Sequence, residues 1–407
     1  MGNVSPPPGS SWASGAEGPD RPEFEPSSPA WAWPPGAEGD PVWAWPPPPA
    51  ARVRRSRVVS VPPGTPYHRL ARTARFRWWV PPLAVVAAVA LYLLVQIPLV
   101  LAAKLVAVVA GAPLDVTVFF GSEVPDLAVE LVLLAAMIPV VMFIARFVQW
   151  RPVGTLSSVE GRLRVRWLLT CSLVALLVVG VMVPARFGLY LATGVSGPLV
   201  GEWVGPRLFL GALLVVVLLV PFQAAAEEYA LRGFVMQAVG SYGAPGPGGG
   251  PLTRLLRSPL PAILVSGGVF ALLHTYSAWA LAEVLCFGVA MAWLAWYTGG
   301  LEAPIALHVL HNLAAMGISA YEGTLGASGG SGSWQSLAGT VAQLVVYCLV
   351  VVWLARRAGL RRVVPGSAPA PDPACSPAPD PGSPGWALRP AASETEERRD
   401  HRHRYGG

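Results

Sequence analysis

Two adjacent glutamates and an arginine follow one of the most apolar stretches of the sequence. The segment PFQAAAEEYALRGFV, residues 221–235, places Glu227, Glu228 and Arg232 directly after a run with almost no polar atoms. An ionised side chain at bilayer depth costs roughly 2.5–3.5 kcal/mol on insertion scales, so such residues usually pair or carry a function. Glu228 and Arg232 share one helix face, in the order that favours an ion pair. Glu227 points about 100° away from Glu228 on a helix, toward a different neighbour.

Two further motifs place polar side chains in apolar segments. FALLH ends in His274, and HVLHN begins with His308 and ends with Asn312. A single histidine in a buried helix is usually a hydrogen-bonded core residue, but a glutamate, two histidines and an asparagine on separate apolar helices are not expected by chance. Together they supply a general base, proton shuttles and hydrogen-bond donors, the groups needed to add water to a carbonyl. We predict a core role for the remaining histidine of the third motif, His311.

The composition is typical of an integral membrane protein. Of 407 residues, 53% are hydrophobic and only 13% are charged, whereas soluble domains contain about 25% charged residues. The net charge of +6 comes from basic residues beside apolar runs, where they act as topology signals, and we predict no nucleic-acid partner. The cysteines show no paired spacing and predict neither a disulfide framework nor a zinc ribbon; they are Cys171, Cys286, Cys348 and Cys375.

About eight apolar runs of membrane-spanning length must position these motifs. We therefore predict an all-α, polytopic membrane protein. The fourth run is too long for one straight crossing and the fifth is short, which indicates broken or tilted helices. The predicted spans are residues 80–108, 127–148, 167–190, 206–239, 259–274, 278–298, 302–320 and 335–356.

Two low-complexity tails flank the predicted membrane domain, residues 77–360. The tails, 1–76 and 361–407, are rich in proline, glycine, serine and alanine, a composition that predicts disorder. The first tail repeats WAWPP at Trp31–Pro35 and Trp43–Pro47. Because proline-rich backbone is extended and unpacked, the repeats have two interpretations: a docking motif for a partner, or compositional drift in a disordered tail.

The charge pattern predicts the orientation in the membrane. Clusters of arginine precede the first, third and fifth spans and follow the eighth, whereas Asp115, Glu123 and Asp126 follow the first span. With eight crossings, all of the basic clusters fall on one side of the bilayer. The positive-inside rule places that side, and both termini, in the cytoplasm of a multi-pass cell-membrane protein.

The three motifs together resemble those of a known family. EEYALR matches EExxxR, FALLH matches FxxxH and HVLHN matches HxxxN, the ordered motifs of the CAAX protease and bacteriocin-processing (CPBP, Abi) family of intramembrane metalloproteases, which includes type II CAAX prenyl endopeptidases. The resemblance covers roughly residues 80–360 and implies a peptidase whose motifs lie within 221–320. It also implies that the pair of Glu228 and Arg232 holds the catalytic helix in place.

The resemblance implies a role for each of the remaining motif residues. Glu227 would be the general base that activates water, assisted by His274, while His308 and Asn312 would bind the developing oxyanion. At about 1.5 Å per residue, Glu227 and His274 lie about 20 Å from the cytoplasmic ends of their helices, but His308 lies only about 10 Å from its own. We therefore expect the turn at 297–304 to dip into the protein, or the helices to tilt.

Water activation has two forms that the sequence leaves open. A single divalent metal, such as zinc, could be held by Glu227, His274 and His308; alternatively, the carboxylate polarises water directly while histidine and asparagine donate hydrogen bonds. No HExxH pair is present, and we favour the metal-free form.

Three hypotheses for the function follow. The leading one is an endopeptidase that cuts a peptide or membrane-protein substrate near the cytoplasmic half of the lipid bilayer. A transporter or channel could use the same polar cluster as an ion path, but transporters usually show internal repeats, and we find none in the sequence. A catalytically silent scaffold of the same architecture is the third, against which the intact motifs argue.

Overall fold

The computed structural model describes residues 58–112, 119–194, 200–246, 248–325 and 332–366. The WAWPP repeats and Cys375 lie outside these residues. The described part is helical, as predicted. Its α-helices are α1 Val80–Val109, α2 Glu123–Ala135, α3 Met137–Phe147, α4 Val165–Ala192, α5 Pro206–Glu228, α6 Met236–Gly240, α7 Pro251–Arg257, α8 Leu260–Leu272, α9 Ala278–Thr298, α10 Glu302–Glu322 and α11 Trp334–Arg357.

The helices include seven candidate membrane spans within the described residues, or up to eight. Helices α2 and α3 together form one of them. The eighth would combine α7 with α8, which are bent by 57° at their junction; the short fifth run of the sequence corresponds to α8 alone. The predicted count of eight therefore depends on whether this bent pair is one span. The chain is a multi-pass membrane protein in either case.

The fourth span is long and irregular, as its sequence indicates. It runs over Pro206–Gly240, 35 residues, and contains Pro221 within α5. Between α5 and α6 the backbone forms a π-helix at Tyr229–Val235. Because π-helical turns are rare and concentrate at functional sites, this irregularity indicates that the functional site lies at the end of α5.

One end of the helix bundle is covered by three connecting segments, which we call the cap: residues 58–79, 149–164 and 358–364. Its first and last segments pair with each other, since the amide of Val364 donates to the carbonyl of Thr65 at 3.0 Å. The segments that precede α1, join α3 to α4 and follow α11 therefore lie at one end of the bundle. This is the arrangement that an even number of crossings requires.

The cap corrects both predicted tail boundaries. Residues 58–76 were assigned to the disordered tail, but Tyr67 and Leu70 within them are fully buried. The second tail was predicted to begin at residue 361, but the pairing with Thr65 extends order to Val364. These pieces are too short to show a hydrophobic period, and they are ordered because they pack on the ends of the helices and hydrogen-bond to one another.

The turn between α9 and α10 lies beneath the cap, which is one of the two arrangements expected from the depth of His308. Every residue from 297 to 308 is buried. The amide of Leu301 donates to the carbonyl of Ser157 at 2.9 Å, and Arg164 pairs with Glu302 at 2.7 Å in a buried contact. The turn therefore dips into the protein, which brings the first turns of α10 deeper than a surface connection would allow.

A buried histidine makes the cap sensitive to acid. His68 is 2% exposed, and its Nε2 donates to the carbonyl of Arg257, at the end of α7, at 3.2 Å. Burial, together with the nearby Arg69, lowers the pKa of His68 from its usual 6.5 to about 4, against the opposing effect of that hydrogen bond. The ring is therefore neutral in the folded cap at neutral pH.

We expect the stability of the cap to fall as the pH decreases from 6.5 to 4. The unfolded chain takes up a proton on His68 near pH 6.5, and the folded chain does so only near pH 4. The free energy of unfolding therefore has its full value above pH 6.5. Between pH 6.5 and 4 it falls by about 1.4 kcal/mol for each pH unit. Thermal unfolding in detergent at a series of pH values measures this loss. His68→Gln keeps an N–H donor and should lack this component; an unchanged pH dependence in the variant would contradict the assignment.

Candidate active site

Glu228 and Arg232 form the predicted ion pair where α5 passes into the π-helix. Arg232 Nη1 lies 2.9 Å from Glu228 Oε1, and both side chains are 0% exposed. The guanidinium lies over the ring of Phe270 in α8, 4.4 Å from its centroid, and donates to the carbonyl of Gly288 in α9 at 3.3 Å. The pair therefore fastens the end of α5 to two neighbouring helices.

His308 of α10 lies between the two glutamates. Its Nδ1 is 2.7 Å from Glu228 Oε1 and its Nε2 is 3.4 Å from Glu227 Oε2. The edge of its ring meets the aromatic face of Phe287, with centroids 5.2 Å apart. His308 therefore links Glu227 to Glu228, and Arg232 Nη1 contacts the same Oε1 atom of Glu228.

Gln223 is a member of the site that the sequence motifs do not include. Its Nε2 donates to Glu227 Oε1 at 2.7 Å, and its Oε1 accepts from Asn312 Nδ2 at 3.3 Å. Gln223 is 6% exposed and lies four residues before Glu227, on the same face of α5. The signal that could have found it is this spacing: a lone amide in an apolar helix, one turn before a catalytic candidate.

His274 lies just beyond the end of its helix. Helix α8 ends at Leu272, and His274 Nδ1 donates to the carbonyl of Phe270 at 2.7 Å. In a neutral ring this bond leaves the lone pair on Nε2, so that this nitrogen can accept a proton. The ring also packs against Phe270 and Tyr276, with centroids 4.8 and 5.3 Å away. The two ends of the FALLH motif, Phe270 and His274, are therefore in contact.

A cavity of about 840 Å³ joins the motif residues. Glu227, His274, His308, Asn312 and the unpredicted Gln223 all line it, whereas Glu228 and Arg232 are buried behind it. The structure thus brings the candidate residues of the three motifs around one space. Five of the six predicted site residues form one chain of contacts that includes Gln223. The sixth, His274, lines the same cavity from the end of α8.

The opposite wall of the cavity carries a second polar group. Glu283 of α9 accepts hydrogen bonds from Thr340 Oγ1 at 2.5 Å and Ser336 Oγ at 2.7 Å, both on α11. His311, which we predicted to be a core residue, is half-buried, and its Nδ1 accepts from Gln343 Nε2 at 3.0 Å. His311 also lines the cavity, so it combines a packing contact with an exposed edge.

The donor set does not fit a metal site as the side chains stand. Both nitrogens of His308 face carboxylate oxygens, whereas His274 contacts a backbone carbonyl through Nδ1 alone, which is compatible with ligation through Nε2. Among the residues that the structure describes, no group of three or more histidine, cysteine, aspartate or glutamate side chains could hold a metal ion. The zinc arrangement through Glu227, His274 and His308 would require His308 to exchange one of its present contacts for the metal.

Comparison with known proteins identifies the part of the chain that holds this site. Residues 207–314 match the family model described as type II CAAX prenyl endopeptidase Rce1-like. The chain is also 32% identical over 112 residues to the uncharacterized protein YyaK of Bacillus subtilis (strain 168), an alignment that covers 26% of this chain and 33% of that protein. The chain thus matches about a third of the length of this curated relative. No solved structure matches it.

Proposed function

Since residues 207–314 form a domain of the Rce1-like type II CAAX prenyl endopeptidase family, a peptidase family, we propose that this protein hydrolyses a peptide bond inside the membrane, with Glu227 as the general base. One observation carries the proposal. The Glu227 carboxylate faces a cavity and receives a contact on each oxygen, 2.7 Å from Gln223 and 3.4 Å from His308. A carboxylate oriented in this way is prepared to accept a proton from water.

The reaction follows from these positions. A water molecule in the cavity gives a proton to Glu227 as its oxygen attacks the carbonyl carbon of the scissile peptide bond. The tetrahedral intermediate then collapses, the carbon–nitrogen bond breaks, and Glu227 returns the proton to the leaving amine. His274, which lines the same cavity, is in a position to assist one of these proton transfers. The buried pair of Glu228 and Arg232 holds the helix that carries the base.

The oxyanion has two candidate donors by family resemblance, His308 and Asn312. The contacts of His308 with both glutamates favour a different role for it, that of orienting the carboxylates. Asn312 uses one N–H toward Gln223 at 3.3 Å, and its second N–H is available for an oxyanion. We therefore assign the orientation of Glu227 to His308 and Gln223, and the direct or indirect role of Asn312 becomes a matter for experiment.

The test of the proposed function is a comparison of membrane proteomes. Cells that express the wild-type protein and cells that express Glu227→Gln at the same level are compared for uncleaved precursors. We expect one or more membrane-associated proteins or peptides to accumulate in their longer form only with the variant. Identical cleavage patterns in the two membranes would count against a peptidase. A transporter would instead change the transport of a solute without changing any chain length.

We expect Gln223→Met to lower kcat by about 10- to 100-fold with little change in KM, because it removes a hydrogen bond to a charged group, worth roughly 1.5–3 kcal/mol. Gln96→Met is the matched control, since Gln96 is an amide in α1 whose Nε2 donates to the Leu133 carbonyl.

Combining Gln223→Met with Asn312→Ala decides how Asn312 acts. If Asn312 works through Gln223, the double variant is no slower than Gln223→Met alone, because the contact is already lost. Multiplication of the two losses would instead place Asn312 directly on the oxyanion. A wild-type rate for Gln223→Met would show that Gln223 does not contribute to the reaction.

A further inference from the structure

The cavity extends from the catalytic residues in one direction along the bundle. On α10 its wall begins at His308 and continues to Ser319, and it includes none of residues 302–307. On α9 the wall consists of residues near the start of the helix, ending at Phe287. The long axis of the cavity therefore runs from the level of His308 toward the end of the bundle that is away from the cap.

The positions of the lining residues in the other helices also indicate that the cavity extends away from the cap. Helix α2 contributes residues that follow its first turn, such as Leu127 and Glu130, and α11 contributes Thr340, near its start. Thr324 and Leu325, beyond the end of α10, complete the wall. All of these positions lie at the helix ends away from the cap. On the cap side of His308, by contrast, residues 297–307 are buried.

Several residues of this wall are exposed. Glu130 and Ala315 are exposed although they line the cavity, and Tyr276, between α8 and α9, is 40% exposed. Helix α8, with only 13 residues, ends at Leu272 and so is about 20 Å long. The catalytic level is therefore reached from the end away from the cap and is covered from the other.

The charges indicate which side of the membrane each end faces. The basic residues of the described chain concentrate at the cap end, and three lie nearer the other end: Lys104, Arg186 and Arg207. The positive-inside rule places the end that is richer in arginine in the cytoplasm. The arginines at the cap end are Arg69, Arg72, Arg75, Arg77, Arg146, Arg151, Arg162, Arg164, Arg166, Arg254, Arg257, Arg356, Arg357, Arg361 and Arg362.

We infer that the substrate reaches Glu227 from the extracytoplasmic side of the membrane. This inference rests on the proposed peptidase function. It names the substrate class as an exported peptide, or a membrane protein segment at the outer face, in place of the expected cleavage near the cytoplasmic half of the bilayer. A substrate confined to the cytoplasm would meet the cap, in which Arg164 and Glu302 form a buried pair above the α9–α10 turn.

Cysteine labelling tests the inference without a known substrate. In a cysteine-free background, Ala315→Cys reports on the cavity wall and Arg162→Cys on the cap, since the Arg162 side chain is 78% exposed. We expect an impermeant maleimide to label Ala315→Cys in right-side-out membrane vesicles and to label Arg162→Cys only after the vesicles are opened. The native cysteines to be replaced are Cys171, Cys286, Cys348 and Cys375.

Each other labelling pattern overturns the inference. Labelling of Arg162→Cys but not Ala315→Cys in sealed vesicles would place the cavity on the cytoplasmic side. No labelling of Ala315→Cys in either state would mean that the cavity is closed to water. Ser319→Cys, on the same wall of α10, provides a second position if Ala315→Cys fails to fold.

The proteomic comparison separates this inference from the function on which it rests. If Glu227→Gln causes precursors to accumulate and their uncleaved segments face the cytoplasm, the peptidase function stands and the direction of access is wrong. If no precursor accumulates, the function itself fails. Precursors whose uncleaved segments lie at the outer face, together with labelling of Ala315→Cys in sealed vesicles, support both.

Discussion

Replacing Glu227 by glutamine is expected to lower the rate of peptide cleavage by about 10²- to 10⁴-fold, the usual contribution of a general base, while the protein remains folded. Glutamine has nearly the same shape and can still contact Gln223 and His308, but its amide cannot take a proton from water. The measurement is turnover by the purified protein with a peptide derived from an accumulated precursor. His274→Ala and His308→Ala are expected to reduce turnover comparably.

The matched control for Glu227→Gln is Glu130→Gln. Glu130 lines the same cavity and is exposed, so this variant makes the same chemical change on the same wall. We expect near wild-type turnover from it. Equal losses in the two variants would indicate a general effect of negative charge in the cavity rather than a base at one position. Retention of more than about a tenth of the activity in Glu227→Gln would exclude Glu227 as the base, given the size of this effect.

Arg232→Ala is expected to lower the free energy of unfolding by about 3–5 kcal/mol, the usual cost of leaving a buried charge without its partner. The variant leaves Glu228 at 0% exposure without its arginine, with Oε1 still 2.7 Å from His308 Nδ1. Glu228→Ala should have a similar effect, because it leaves the Arg232 guanidinium unpaired over Phe270. Unfolding in detergent measures both losses, and Glu227→Gln is expected to unfold nearly like the wild type.

A second arginine provides the control for this prediction. Arg186 lies 3.7 Å from Glu283, and the two side chains are 22% and 17% exposed. Because solvent screens this looser pair, Arg186→Ala is expected to cost only about 1 kcal/mol or less. If Arg232→Ala and Arg186→Ala unfold at the same denaturant concentration, the pair of Glu228 and Arg232 is not what holds α5 in place.

The two predictions together separate chemistry from support within one short segment. Glu227 and Glu228 are neighbours in the chain, but one lines the cavity and the other is buried against Arg232. Glu227→Gln is expected to lose activity while keeping nearly the stability of the wild type. Glu228→Ala is expected to lower the free energy of unfolding, and its activity is expected to fall because less of the protein is folded. This opposite behaviour of adjacent glutamates is what a catalytic base on a helix held by a buried ion pair requires.

The sequence by itself determined the membrane character, the approximate spans and the identity of the motif residues. These features depend on local physics: twenty apolar residues are needed to cross a bilayer, and each charged residue within them is costly. The i,i+4 spacing of Glu228 and Arg232 likewise determined their ion pair, because it requires only one turn of helix. The sequence also predicted the long fourth span and the short fifth one, because the length of a span follows from the length of its apolar run.

The tertiary structure decided which partners the motif residues have and which way the cavity faces. His308 contacts Glu228 across 80 residues of sequence and also contacts Glu227, and Gln223 contacts Asn312 across 89 residues. No local pattern encodes such contacts, because they depend on how α5 and α10 pack. The order of residues 58–76 is another case, since their buried aromatic and aliphatic side chains have no partners until the ends of the helices assemble beneath them.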